Sequence, residues 1–283
     1  MPTAMQRLFA QLQRLFLLPA APAWTAESLQ QAVACGDAGL TLCADAAGST
    51  RTLVIGFSRA RDWDSAAALL ATLTDTLGLP RPALAIDGVC GYQLWLSLAA
   101  TIPVAEAQAW WQALRAQYLS ELPDTALMFF PGEGSLAAIS AVPVIPARIG
   151  AAERWSAFID PNLGGLFRDE PWLEMPPGDE AQADLLAGCT AISAAEFAHS
   201  QAALQSATAA TAAKVAAAAD AAALAAQREA EKPLQQVAAY ADPKDFLLAL
   251  MNDGNARTEI RVEAAKALLP YFHRPKTSPG ETP

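Results

Sequence analysis

Apolar residues recur along this chain first at helical and then at strand spacing. Met5, Leu8, Phe9, Leu12, Leu15 and Phe16 repeat at steps of three and four, which predicts an amphipathic helix over 4–18 that ends before Pro19. Thr25 is placed to cap a second helix running to Ala34, with Glu27 in the first turn, where negative charge suits the helix dipole. Residues 40–43 and 51–57 read as short strands around a turn-rich 45–49, and 62–77 as a helix stopped by Gly78. The period then falls to two. Apolar runs at 83–86 and 92–98 flank Asp87-Gly88-Val89-Cys90-Gly91, with Tyr92, Leu94, Leu96 and Leu98 on one face and Gln93, Trp95 and Ser97 on the other. That is a hairpin with a glycine-bordered turn.

Helical spacing resumes over 103–119 with Trp110, Trp111, Leu114 and Tyr118, followed by a short apolar strand at 126–130 that Pro131-Gly132-Glu133-Gly134 ends. Residues 139–177 are rich in proline and aromatics and read as an extended wrap closing the core; Trp155, Phe158 and Trp172 serve its packing. A helix starting near 182–186 leads out. Strands alternating with helices predict an α+β fold, one sheet with helices packed on it.

The pattern then changes. Alanine fills more than half of 194–231 without proline or glycine, which predicts one long helix. Leu204, Val215 and Leu224 are too sparse for a coiled-coil seam, so the helix reads as a semi-rigid spacer, or else as a surface for self-association through small residues. Asp242 and Pro243 open a further helix with Phe246, Leu247, Leu250 and Met251 on its apolar side. A turn at 252–255 and a helix over 257–269 complete a helical hairpin. The expected organisation is an N-terminal helix (1–24), a core domain (25–190), an Ala-rich linker (194–232), the hairpin (240–276) and a disordered tail (277–283).

Composition narrows the function classes. Nineteen Lys and Arg against 29 Asp and Glu give a net charge of -10, which disfavours a broad nucleic-acid-binding surface. The surplus is uneven: residues 233–283 hold six basic and six acidic residues, and Arg257, Arg261, Lys266, Arg274 and Lys276 cluster there as candidate DNA contacts. Four scattered cysteines without a Cys-x-x-Cys pair read as reduced, buried thiols, not a zinc site. The apolar run after Arg14 is too short for a signal peptide, and no run of about 20 apolar residues suggests a span, so a cytoplasmic protein without a membrane partner is expected.

Motifs for phosphate loops, dinucleotide binding, serine hydrolases and zinc proteases are missing, and both histidines, His199 and His273, lie outside the expected core. Carboxylates remain as candidates for chemistry: Asp62, Asp64, Asp87 and Asp124. Each also suits a turn or a helix cap.

The order of strand 53–57, helix, Leu77-Gly-Leu-Pro-Arg-Pro82, strand, glycine loop, Gly91-Tyr-Gln-Leu-Trp-Leu96, helix and Asp124-Thr-Ala-Leu-Met-Phe-Phe-Pro-Gly132 resembles the core of archaeo-eukaryotic-type primase-polymerases of plasmids and phages, over about residues 50–150. The resemblance implies a nucleotide loop containing Gly88 and Gly91, and a metal pair holding Mg or Mn. Where the family carries its aspartate pair this chain has Gly56 and Phe57, and Gln93 replaces the nucleotide-contacting histidine. Asp124 matches the third acidic position. One carboxylate cannot hold two ions, so the resemblance implies a degenerate, non-catalytic relative without a cofactor.

A second resemblance covers about 240–275. Tyr240-Ala-Asp-Pro-Lys-Asp-Phe-Leu-Leu-Ala-Leu-Met-Asn-Asp253 with Arg261-Val-Glu-Ala-Ala-Lys-Ala-Leu-Leu-Pro-Tyr-Phe-His273 is similar to phage small-terminase-like proteins, oligomeric DNA-recognition subunits. Together the two imply a non-enzymatic phage or mobile-element protein associated with nucleic acid or assembly. The alternatives are an active nucleotidyl transferase using Asp62 or Asp64 with Asp87 and Asp124, and an oligomeric scaffold built on 194–231 with no nucleic-acid role.

Overall fold

The computed structural model describes residues 2–18, 24–35, 39–41, 48–132, 141–150, 153–230, 240, 242–254 and 256–272. His273, Arg274, Lys276 and the tail 277–283 lie outside them, as do Cys43, the turn at 45–47 and Glu133-Gly134. The chain divides into two compact units, Met1–Val215 and Ala216–Pro283.

The first unit is α+β, an antiparallel six-stranded sheet with helices on both faces. Its elements run α1 Ala4–Leu15, α2 Ala26–Cys35, β1 Gly39–Thr41, β2 Ser49–Phe57, α3 Trp63–Ala71, β3 Ala83–Ile86, β4 Tyr92–Pro103, α4 Val104–Tyr118 and β5 Leu127–Phe130. Then come β6 Ala141–Pro143, β7 Ala147–Ile149, β8 Arg154–Ile159, α5 Asp179–Ala187 and the first part of α6 Ala194–Ala230, whose residues from Ala216 on fall in the second unit. The sheet order is β5-β2-β4-β3-β8-β7, and β1 pairs with β6 in a separate two-stranded ladder.

The alternation along β4 divides two cores. Tyr92, Leu94, Leu96 and Leu98 join Leu53, Ile55 and Phe57 of β2 beneath α3 and α4. Trp95 and Val54 point the other way, into a cluster with Leu8, Leu12 and Phe16 of the N-terminal segment and Leu186 of α5. Burying each of those large side chains contributes about 1.5–3 kcal/mol, an upper bound because unfolded chains are already partly collapsed.

The end of α1 is tied down by polar groups of the sheet. Helices leave their last carbonyls without intrahelical partners. Here Ser97 Oγ donates to Leu15 O, Thr52 Oγ1 to Phe16 O (2.8 Å) and Arg51 to Arg14 O (2.9 Å). Burial lowers the pKa of Arg51, whose Nε has no partner.

Several expectations are corrected. Residues 139–177 are not merely a wrap: β8 inserts between β3 and β7, pairing Leu84–Ile86 with Ala157–Ile159. Its placement rests on Phe158, which stacks on Phe16 and meets Trp95 edge-on. The helix expected from Asp62 is preceded by a 3-10 turn at Ala60–Asp62 and widens into a π turn at Thr72–Thr76, before Gly78 stops it at φ +65°. Cys35 and Cys90 are exposed and Cys189 half-buried, all as free thiols. A helix long and apolar enough to cross a membrane, by length and composition alone, does occur at Ala194–Gln227, because alanine's modest hydropathy accumulates over its length.

The long helix opens with a capping box: Ser193 Oγ accepts from Glu196 N and Glu196 accepts from Ser193 N. Its first turns dock through buried Phe197, Ser200 and Leu204, with Trp110 Nε1 donating to Ser200 Oγ at 3.0 Å.

The second unit holds α7 Pro243–Asn252 and α8 Thr258–Phe272. Asp242 caps α7, accepting from Lys244 N at 2.9 Å. Arg261 Nε donates to Met251 O at 3.0 Å, tying α8 to the end of α7. Ala264 and Leu268 of α8 are buried, whereas α7 has no buried residue. Pro270 lies within α8, in its last turn, so the helix runs beyond the expected Leu269.

Candidate functional site

The loop Asp87–Gly91 joins β3 to β4 and closes on itself. Asp87 Oδ1 accepts from the amides of Val89, Cys90 and Gly91, at 2.8–2.9 Å. Three successive amides aimed at one point are a favourable place for an anion, and here the loop's own carboxylate occupies it. Partial burial and then the Asp87 charge push the Cys90 thiol above its ordinary pKa, which lowers its reactive thiolate fraction.

Both loop glycines are demanded by neighbouring chain. A Cβ on Gly91 would stand 1.6 Å from Phe57 O, and one on Gly88, at φ +78°, 2.5 Å from Ile149 Cγ1. Gly88 N also donates to Pro171 O (3.0 Å), so the segment after β8 lies over the loop. Gln93 points to the opposite face from Tyr92, is 3% exposed and accepts from Trp95 Nε1 at 2.9 Å.

Tyr92 OH donates to Gly164 O at 3.0 Å, and burial pushes its phenol up to about 12. The folded value lies above the unfolded value of about 10, so the folded chain holds this proton more tightly. Stability from Tyr92 is therefore complete below about pH 10 and is lost as pH rises toward 12. In an alkaline titration followed by tyrosinate absorbance, the parent should show a step at about pH 12 that Tyr92→Phe removes. Identical titrations of parent and variant at high pH would contradict this assignment.

The other candidate carboxylates each have their own cation. Asp62 pairs with Arg59 (2.7 Å), Asp64 with Arg168 and Asp124 with Arg115. Among the described residues no three His, Cys, Asp or Glu side chains stand together to hold a metal. Oxygen-rich divalent sites need several ligands converging at 2.0–2.6 Å. The residues present do not fit the ion pair that the primase-polymerase resemblance implies.

Asp124 instead lines a cleft of about 380 Å³ with Gln108, Trp111, Arg115, Phe129 and Gly132, between α4 and β5. Its polar groups serve the fold: Gln108 Nε2 donates to Gly132 O, and Trp111 Nε1 to Phe130 O at 3.3 Å. Sequence reasoning placed Trp111 on the helix over 103–119 and gave no sign of the cleft, which forms only where α4 meets β5.

In the second unit, Arg257 pairs with Glu259 at 3.6 Å and Lys266 with Glu263 at 2.8 Å. Both cations stay exposed, whereas Arg261 is turned to the Met251 carbonyl. No protein-family model matches the chain, and no curated protein is significantly similar to it.

Proposed function

We propose that this is a non-catalytic protein of a phage or mobile element, built on a degenerate primase-polymerase-like module and associated with nucleic acid through its C-terminal hairpin. The observation that carries the reading is the separate neutralisation of Asp62, Asp64 and Asp124 by three arginines, with Asp87 held by its own loop. Carboxylates committed in this way do not converge on attacking and leaving oxygens, as metal-dependent nucleotidyl transfer requires. Further support comes from the succession β2, α3, the β3–β4 hairpin, α4 and β5, the order that the resemblance implies. Nucleic-acid association rests on Arg257 and Lys266, the exposed cations of a hairpin that carries little of the chain's negative surplus.

One experiment tests both halves. The full chain is given primed and unprimed DNA, nucleotides and Mg²⁺ or Mn²⁺, and binding is followed against salt. The expected result is no strand synthesis, with DNA binding whose salt slope falls by about 1 for each phosphate-binding cation removed, in Arg257→Glu and in Lys266→Glu. Synthesis abolished by Asp124→Ala would overturn the non-catalytic reading; binding insensitive to salt and to both variants would overturn the nucleic-acid role.

A further inference from the structure

A 3-10 helix at Pro161–Phe167, directly after β8, holds two leucines out in solvent. With three residues per turn, positions i and i+3 stack over one another. Gly164 and Phe167 share the inward side: Gly164 is buried, a Cβ on it would stand 1.9 Å from the Trp63 ring, and Phe167 packs on the core. Leu163 and Leu166 share another side and are 49% and 77% exposed. The turn that carries them is pinned at several points. Asp160 Oδ1 accepts from Asn162 N and Asp160 O from Leu163 N, both at 2.8 Å, and Gly164 O accepts from Tyr92 OH. Pro171 O accepts from Gly88 N, so the Asp87–Gly91 loop, with Val89 54% exposed, borders the segment that follows. Apolar side chains held in place before binding lose little freedom on contact, and an apolar patch that the fold leaves uncovered marks an interaction surface.

Charge selects the occupant. Residues 160–174 hold four acidic side chains, Asp160, Asp169, Glu170 and Glu174, against one cation, Arg168, which is paired with Asp64. We infer that Leu163 and Leu166 form the apolar centre, and Asp169 and Glu170 the rim, of a docking surface for a cationic segment of another protein, one with apolar anchors set among Lys or Arg. Such a segment meets complementary charge at the rim and an apolar contact inside it, the usual anatomy of a specific interface. DNA, an anionic membrane and the same face of a second copy all bring negative charge and are repelled. The surface uses none of the hairpin cations proposed to meet DNA and does not rest on that reading.

Random peptides of about 12 residues, displayed on yeast and selected with the full chain, should become enriched in Lys or Arg together with Leu, Ile, Phe or Trp. A selected peptide, synthesised with a fluorescent label, should bind with a dissociation constant of roughly 1–100 µM by anisotropy. Leu163→Ser with Leu166→Ser should weaken binding at least about tenfold. Asp169→Asn with Glu170→Gln should weaken it about three- to tenfold, a difference that about 0.5 M salt removes. All four side chains are exposed, so the near-ultraviolet circular dichroism of both variants should match the parent. Selected peptides without basic residues, binding unchanged in both variants, or no enrichment at all would overturn the inference. So would anionic vesicles, DNA or a second copy of the chain bound in a manner that the leucine variant abolishes.

Discussion

Trp95→Ala is expected to destabilise the first unit by about 3–5 kcal/mol, the usual cost of emptying an aromatic core site. For a unit of this size that lowers the thermal midpoint by roughly 6–20 °C. Trp95 is 1% exposed and joins three parts of the chain distant in sequence. Its ring lies edge-on to Phe16 at 5.1 Å and to Phe158 at 5.7 Å, while Nε1 donates to Gln93. Alanine leaves a cavity beneath α1 and β8 together, and a buried Gln93 oxygen without its donor, so two costs add. Amide exchange in α1 should accelerate along with that in β8. Trp95→Phe should recover much of the packing but not the Gln93 bond. A midpoint within about 2 °C of the parent would show that α1 does not depend on this cluster.

Gly91→Ala is expected to cost at least about 3 kcal/mol, at the upper end for overpacking. The group in the way is the backbone of Phe57, 1.6 Å from the new Cβ to the oxygen and 2.8 Å to the carbon, with Arg59 N at 3.3 Å. A flexible side chain could swing aside; a central strand cannot without breaking its ladder to β4 or β5. Gly188→Ala makes the control, since its nearest neighbour, Leu185 O, lies at an ordinary 3.5 Å and φ is -72°, and it should change stability by no more than about 0.5 kcal/mol. The comparison separates the two roles a glycine loop can have. Unchanged stability with lost nucleotide binding would restore the loop as a ligand site, whereas equal loss of stability with and without nucleotide fits a packing role.

Periodicity along short stretches made much of this architecture legible. The faces of β4, the hairpin around Asp87–Gly91, the Gly78 stop, the Ala-rich helix and the Asp242 cap all depend on residues a few positions apart, and each is found where local spacing puts it. Strand β8 was hidden because Trp155 and Phe158 sit among prolines and turns, and it gains its place only by meeting Ala85 and Phe16 from elsewhere in the chain. Candidate carboxylates were visible as residue types, but their partners were not. Asp64 meets Arg168 across 104 positions.

What the sequence by itself determined, then, was the set of elements and which face of each is apolar, because backbone sterics and side-chain periodicity act locally. Only the tertiary structure decided that helices cover both faces of the sheet, that Gln93 is buried with Trp95 Nε1 as its donor and that the acidic residues stand apart, each already held. Those outcomes depend on which distant surfaces are packed together, and burial, unlike periodicity, is a property of the neighbours.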